Sequence, residues 1–260
     1  MHLPANPLII FAMNAPEVTP EILPHGPDGL SIRLGLTPDQ ATLGAVQALR
    51  SALEATPPQG VEEIVGALAS VYLRFDPTRT SRAEVAAATR AIIDQTDLVG
   101  ATLPPPSRRW TIPVVLGADR GPQFSETAKA AGLSDSAARD AILSTPVRVL
   151  TIGFAPGLPY MGLMPPEWDI PRLTEITPNV PKGALVAAVR QLIIFTNATP
   201  TGWRHIGQTA FEGFDPGRDP ATLLRAGDEV RFATISPSEL AALEADNADG
   251  RGGARVEALS

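Results

Sequence analysis

The stretch Gly153-Phe154-Ala155-Pro156-Gly157-Leu158-Pro159-Tyr160-Met161-Gly162 constrains this chain more than any other. It follows Val147-Arg148-Val149-Leu150-Thr151-Ile152, an alternating run of the kind that forms a strand. Three glycines and two prolines in ten residues argue against regular helix or strand. Glycine permits positive φ and close backbone approach, whereas proline fixes φ and removes an N–H donor. Two aromatics, Phe154 and Tyr160, sit inside this stiff turn. It reads either as a buried, structurally demanding crossover or as the lip of a ligand pocket or partner interface.

Around that turn, 260 residues with 44% hydrophobic content suffice for one large or two modest cores. A net charge of −7 with no basic stripe argues against nucleic acid and anionic membrane surfaces as main partners. With no cysteine, disulfides, thiolate metal sites and a cysteine nucleophile are excluded. The three histidines, His2, His25 and His205, lack HExxH-like spacing, so no metal site is expected. No apolar run approaches a membrane span, and the run from Pro7 to Met13 lacks a cationic flank, so a cytoplasmic protein is expected.

Residues 1–19 read as an extension, and regular patterning begins near Ile22. Leu30 to Leu34 alternates as a half-buried strand. Thr37-Pro38-Asp39-Gln40 then offers an N-cap, a proline at the first helical position and a capping-box glutamine. The helix should run to about Ala55, with Leu43, Val46, Leu49 and Leu53 on one face, until Pro57-Pro58 stops it. Val61 to Val65 and Ser70 to Phe75 read as strands, with Glu62 and Glu63 on opposite faces. Thr80 or Ser81 caps a second helix, with Glu84 closing a box on Ser81. The order β-α-β-β-α predicts a ferredoxin-like α+β domain over residues 20–98.

Residues 99–109, with Pro104-Pro105-Pro106, read as a semi-rigid linker. A strand from Ile112 to Leu116 opens the second domain, residues 110–235, followed by short helices near 123–131 and 135–144. Short strands follow at Leu185 to Ala188, Leu192 to Phe195 and Glu229 to Ala233, separated by turn signals. That spacing predicts a mostly β barrel or sandwich. Residues 236–260 read as a helix from Ser236 to Asp246 and a frayed tail after Asn247.

Polar residues in unusual places mark the candidate site. Lys182 in Val-Pro-Lys-Gly is either a solvated turn lysine or an anion ligand. Arg190 and Gln191 interrupt an apolar stretch from Ala184 to Phe195, where a charged fork needs a partner or a cavity. Asn197 closes that stretch with a polar amide, and His205 follows Gly202-Trp203-Arg204. Asp215 in Phe-Asp-Pro reads as an Asx-turn cap. No Ser-His-Asp order is defensible, and no Walker loop or GxGxxG after a strand is present.

Taken in order, Val180-Pro181-Lys182-Gly183, Gly202 to Thr209, Phe214-Asp215-Pro216 and Leu224 to Phe232 resemble the family called allophanate hydrolase subunit 1, or the 5-oxoprolinase B-subunit. The sporulation-kinase inhibitor proteins belong to the same family. The likeness extends back through Gly153 to Gly162, Tyr72 to Pro77 and Ile22-Leu23-Pro24. It implies the ferredoxin-like domain followed by a cyclophilin-like β-barrel. It also implies ATP with magnesium, a homologous second subunit (allophanate hydrolase subunit 2, or the 5-oxoprolinase C-subunit), and a lactam-utilisation subunit. The implied activity is ATP-dependent opening of 5-oxoproline to glutamate through carbonyl phosphorylation. A kinase-inhibitor-like regulator or scaffold and a carboxyltransferase component of a urea carboxylase system are the alternatives.

For such chemistry Tyr160, Lys182, Arg190, Gln191, Arg204 and His205 are the pocket candidates by position. Phosphoryl transfer asks for cationic clamps and a water-excluding pocket. Where the family usually carries Gly-Gly-Gln, this chain has Val189-Arg190-Gln191. Gln208 stands where arginine is frequent.

Overall fold

The computed structural model describes residues 18–259, so the expected extension, residues 1–19, lies almost wholly outside the described residues. The chain divides into two compact units, one ending at Leu103 and one beginning at Pro104.

The first unit contains β1 (Glu21–His25), β2 (Gly29–Arg33), α1 (Gln40–Ala55), β3 (Val61–Gly66), β4 (Ser70–Phe75) and α2 (Arg82–Gln95). Its sheet runs β1-β2-β4-β3, antiparallel throughout. This is the ferredoxin-like arrangement, with β1 taking the edge place of that unit's last strand. Leu43, Val46, Leu49 and Leu53 are all buried, so the helical stripe read from the sequence is the core-facing side of α1. Its cap differs from expectation: Asp39, not Thr37, is the N-cap, and its carboxylate accepts from the Thr42 amide at 2.8 Å. Aspartate holds the extended conformation there and meets an amide that threonine two residues earlier cannot reach. Ser81 does cap α2, with the reciprocal Glu84 box in place. The expectation that Glu62 and Glu63 face apart is corrected by a bulge in β3. The extra residue breaks the period of two, and both carboxylates bind Arg74.

The second unit contains β5 (Arg108–Leu116), α3 (Phe124–Ala130), α4 (Asp135–Ser144), β6 (Val147–Ile152), β7 (Pro159–Gly162), β8 (Thr177–Val180), β9 (Ala184–Ala188), β10 (Gln191–Ile194), β11 (Thr199–Thr201), β12 (Arg204–Gln208), β13 (Glu229–Thr234), α5 (Pro237–Ala245) and β14 (Arg255–Ala258). The main sheet runs β12-β9-β10-β7-β6-β13-β5-β14, and a further pairing of β12 with β5 closes seven of these strands into a barrel. Its interior is apolar, filled by Ile112, Val147, Met161, Leu185, Leu192 and Ile206 among others. A two-stranded ribbon of β8 and β11 stands apart from this sheet.

Three expectations are corrected here. The linker ends early, because β5 begins at Arg108 and Trp110 is buried in the barrel core. The tail after Asn247 does not fray: β14 pairs antiparallel with β5 from Arg255 to Ala258. Its edge position explains why exposed, charged residues fit a strand there. Within the organising turn, Pro159 to Gly162 form β7 despite their composition, since Pro159 is the first residue of the strand and needs no ladder amide there.

The turn itself is rigid. Gly157 adopts φ 69°, and a Cβ on it would lie 2.4 Å from that of Phe214. Only glycine satisfies both conditions. Leu158 is buried while Phe154 is 90% exposed, so this segment is crossover and surface at once. Among the described residues no helix is long and apolar enough to cross a membrane.

Candidate functional site

Four neighbouring barrel strands, β12, β9, β10 and β7, are buried on both faces apart from the half-buried Tyr160 of β7. On the outward face the register fixes which side chains are neighbours. His205 pairs with Val186, Val186 with Ile193, and continuing the β10–β7 register sets Tyr160 beside Ile193. One row further, Gln191 lies between Ala188 and Gly162. Val186, Ala188, Ile193, Trp203 and Tyr160 belong to a single apolar cluster distinct from the barrel interior.

Small residues shape this face. Ala184 and Ala188 are fully buried in the cluster, and the Trp203 and Tyr160 rings meet edge to face with centroids 6.1 Å apart. The Arg172 guanidinium lies 5.1 Å from the Trp203 centroid. Val186 and Ile193 are buried in the same cluster as these rings.

Two polar side chains share the face with that cluster. Gln191 is 3% exposed and His205 is 7% exposed. Gln191 Oε1 and His205 Nε2 are buried without a hydrogen-bond partner among the described residues. Native interiors leave few such atoms, because an unmet buried acceptor costs about 1–3 kcal/mol. Burial pushes the His205 imidazole pKa down, against the Gly207 backbone and the Gln208 side chain, which favour the charged form. Burial likewise pushes the Tyr160 phenol up, opposed by Arg172. Both groups therefore stand neutral at pH 7.

The backbone beneath His205 is pinned. The Gln123 backbone amide donates to the His205 carbonyl at 2.9 Å, and the His205 amide donates to Gln123 Oε1 at 2.6 Å. At the other end of β12, Gln208 Nε2 donates to the Lys182 carbonyl at 2.7 Å and the Thr209 carbonyl at 3.1 Å. Gly183, at φ 76°, packs so closely that a Cβ would lie 2.3 Å from the Thr209 oxygen.

The site residues expected from sequence thus divide. Tyr160, Gln191 and His205 share the outward face. Lys182 instead is surface-exposed in its turn and pairs with Glu212 at 2.9 Å, beside a hollow of about 150 Å³. Arg204, 8% exposed, shares the opposite face with Ala187 and binds Glu126 of α3 at 2.7 Å, its Nε left without a partner. Arg190 does not lie within a core strand. It occupies the β9–β10 hairpin turn, and its Nε donates to the Met164 carbonyl at 2.8 Å. Asn197 spends its amide locally on Ala198 and Thr199. Asp215 makes the expected Asx turn with the Gly217 amide at 2.8 Å.

Trp203 belongs to the site although charge does not single it out; the available signal is its place beside His205, opposite a strand of small and branched residues.

The cations do not converge. Lys182, Arg190 and Arg204 lie in different places, each already engaged, and no group of three metal-ligating side chains exists among the described residues. This set does not fit the cradle of a magnesium-bound triphosphate.

Comparison with known proteins agrees with the architecture. Residues 20–224 match the family described as the carboxyltransferase domain, subdomain C and D. The chain is 41% identical over 130 residues to the 5-oxoprolinase B-subunit of Escherichia coli O157:H7, covering 50% of this chain and 60% of that protein. It is 29% identical over 221 residues to the 5-oxoprolinase B-subunit of Bacillus subtilis (strain 168), covering 82% of this chain and 92% of that protein. The matched part is thus about three fifths of the length of the Escherichia coli relative. Among solved structures, TTHA0988 superposes with a TM-score of 0.64 at 30% identity, over 80% of this chain and 40% of that one. The Kluyveromyces lactis urea carboxylase superposes at 0.74 over 97% of this chain and 25% of that one; at 17% identity this is a likeness of fold alone. The chain belongs to the family of carboxyltransferase C and D domains that comprises allophanate hydrolase subunit 1 and the 5-oxoprolinase B-subunit.

Proposed function

We propose that this chain is one component of an ATP-dependent amidohydrolase of the 5-oxoprolinase type, acting with a homologous partner of the C-subunit type and a lactam-utilisation subunit. The observation that carries the reading is the match of residues 20–224 to the carboxyltransferase C and D family, beside which Gln191 Oε1 and His205 Nε2 stand buried and unpartnered among the described residues on the outward face. The chain's relatives by sequence are named as B-subunits of 5-oxoprolinase.

The division of labour follows from electrostatics. A five-membered lactam is a stabilised amide, and phosphorylating its carbonyl oxygen makes the carbon open to water. The oxygen attacks the γ-phosphorus as ADP leaves; water then adds to the carbon, the C–N bond breaks to free the amine, and a second water releases phosphate from the acyl phosphate. Stabilising the transferred phosphoryl needs converging cations. Lys182, Arg190 and Arg204 do not supply them, so the clamp belongs to the partner subunits. This chain's part is to bind and orient the lactam away from water.

The test is phosphate and glutamate release from ATP and 5-oxoproline by the chain purified with its partner subunits. Turnover that requires all three and 5-oxoproline is the expected result. A stable complex without turnover would replace this reading with a scaffold or regulatory role.

A further inference from the structure

The turn from Gly153 to Leu158, which joins β6 to β7, displays an aromatic side chain from a strained backbone. Phe154 is 90% exposed and holds φ at 68°. A bulky residue in the left-handed region is an outlier, whereas glycine or asparagine occupies such a place readily. A turn that served only to reverse the chain would be relieved by either. The phenyl ring meanwhile stands in water instead of packing on the barrel.

The turn is too well tied to relax this arrangement. The Gly153 amide donates to the Leu158 carbonyl at 3.1 Å, closing the loop at its neck. The Leu158 amide donates to the Ala155 carbonyl at 3.1 Å, and the buried Thr196 hydroxyl donates to the Pro156 carbonyl at 3.0 Å. Gly157 is wedged against Phe214, and Leu158 is buried. An aromatic on a loop fixed in advance loses little freedom when something covers it.

The surroundings carry no charge. Neither Val149 to Pro166 nor Gln191 to Trp203 contains an acidic or basic residue. The Thr196–Pro156 bond joins these two segments at the turn, where Pro156, Asn197 and Ala198 are exposed. An exposed aromatic in a charge-free field has the make-up of an interface centre. A lipid surface would ask for lysine or arginine here, and these segments hold neither. A second copy would have to offer a hollow fit for a phenyl ring. The hollow at Glu212, Asp215, Asp219 and Asp249 and the one at Glu126 and Glu175 are lined with carboxylates instead.

We propose that Phe154 is the anchor by which this chain docks its homologous C-type partner subunit. The ring enters an uncharged, apolar pocket of that subunit, and Pro156, Asn197 and Ala198 form the rim. The inference rests on the multi-subunit amidohydrolase reading, which supplies the partner. The left-handed backbone at Phe154 is then a device of assembly: it aims the ring outward at the expense of the free chain's stability.

The experiment measures two quantities: affinity of the full chain for the C-type subunit by calorimetry, and thermal stability of the chain alone. Phe154→Asn and Phe154→Gly both suit the left-handed turn and remove the ring. Each should leave the free chain's melting temperature unchanged or higher, and weaken the complex by about thirtyfold or more. A residue that serves only the fold would give the opposite pair, a lower melting temperature with affinity intact. Affinity within about threefold of the unaltered chain in both variants overturns the inference. The amidohydrolase reading then stands if 5-oxoproline is still turned over. Self-association of the chain that either variant abolishes also overturns it, making a second copy the occupant. Failure of the unaltered chain to bind the C-type subunit overturns both readings. Assembly that depends on Phe154 but yields no turnover sustains the inference and removes the amidohydrolase reading.

Discussion

The four strands β12, β9, β10 and β7 are buried on both faces apart from Tyr160, yet the faces differ in kind. Inward they carry Ile206, Leu185, Leu192 and Met161, with Arg204 at one end of β12 reaching out to Glu126. Outward they carry alanines and branched residues with Gln191 and His205 among them, two polar atoms unmet. Unmet buried atoms occur on both sides, Arg204 Nε and Trp168 Nε1 as well as Gln191 Oε1 and His205 Nε2, so it is the kind of side chain rather than burial that distinguishes the faces. The inward face should answer to volume and the outward face to hydrogen-bonding chemistry, and each substitution below tests that contrast.

The largest effect is expected inside. Leu192→Ala removes a side chain that is 1% exposed and leaves a cavity in the closed barrel. Unfolding free energy should fall by about 2–5 kcal/mol, read as a lowered denaturation midpoint. A loss below about 1 kcal/mol would show the barrel interior to be loosely packed and the contrast to be false. Close in size is Asp228→Ala. Asp228 is 3% exposed and accepts from Arg108, from Trp110 Nε1 at 3.1 Å and from the Arg225 amide at 2.9 Å. Removing it strands a guanidinium and an indole N–H, which should cost about 3 kcal/mol.

Outward, Gln191→Leu should change stability by less than about 1 kcal/mol, because it replaces an unmet acceptor with an apolar group. It should still abolish 5-oxoproline-dependent phosphate release. A large stability loss with turnover intact would make Gln191 a core residue like Leu192.

The pH response of His205 sharpens the same point. Its folded pKa lies below the unfolded value, so the unfolded chain binds the proton more readily. Stability from this group is present above the unfolded pKa of about 6.5 and is lost as pH falls from there toward the folded pKa. Melting temperature should therefore fall on acidification through that window, and His205→Gln should flatten this part of the curve. An unchanged slope in the variant would place the imidazole outside the buried face.

How much of this the sequence disclosed follows from periodicity. Half-buried strands such as β4 alternate, and capped helices such as α2 announce their starts, so both are legible. The strands β9, β10 and β12 are covered on both sides, and an uninterrupted apolar run cannot say which residue faces which way. Gln191 and His205 were visible as polar exceptions, but their shared face depends on pairing between strands that sequence does not give. The charged residues drew attention for the opposite reason: Lys182 and Arg204 found ordinary carboxylate partners. The bulge at Glu62 and Glu63 and the edge strand β14 were hidden because each departs from the pattern that defines a strand.

The smallest predicted effect concerns the hairpin joining β9 to β10. Ala188 pairs with Gln191, so Val189 and Arg190 are the whole loop, both at positive φ. That is the mirror-image turn which matches strand twist and which asparagine and glycine normally supply. A β-branched valine there is a true outlier, at about 1–2 kcal/mol for the left-handed conformation. Val189→Gly removes that cost, adds unfolded-chain entropy of about 0.5–1 kcal/mol and gives up part of the valine's packing on the outward cluster, so a net gain of at most about 1 kcal/mol is expected. The midpoint should rise slightly. If lactam binding weakens at the same time, the stiffness of this turn is what holds Gln191 in position, and the outward face tolerates a strained backbone where the inward face has no use for one.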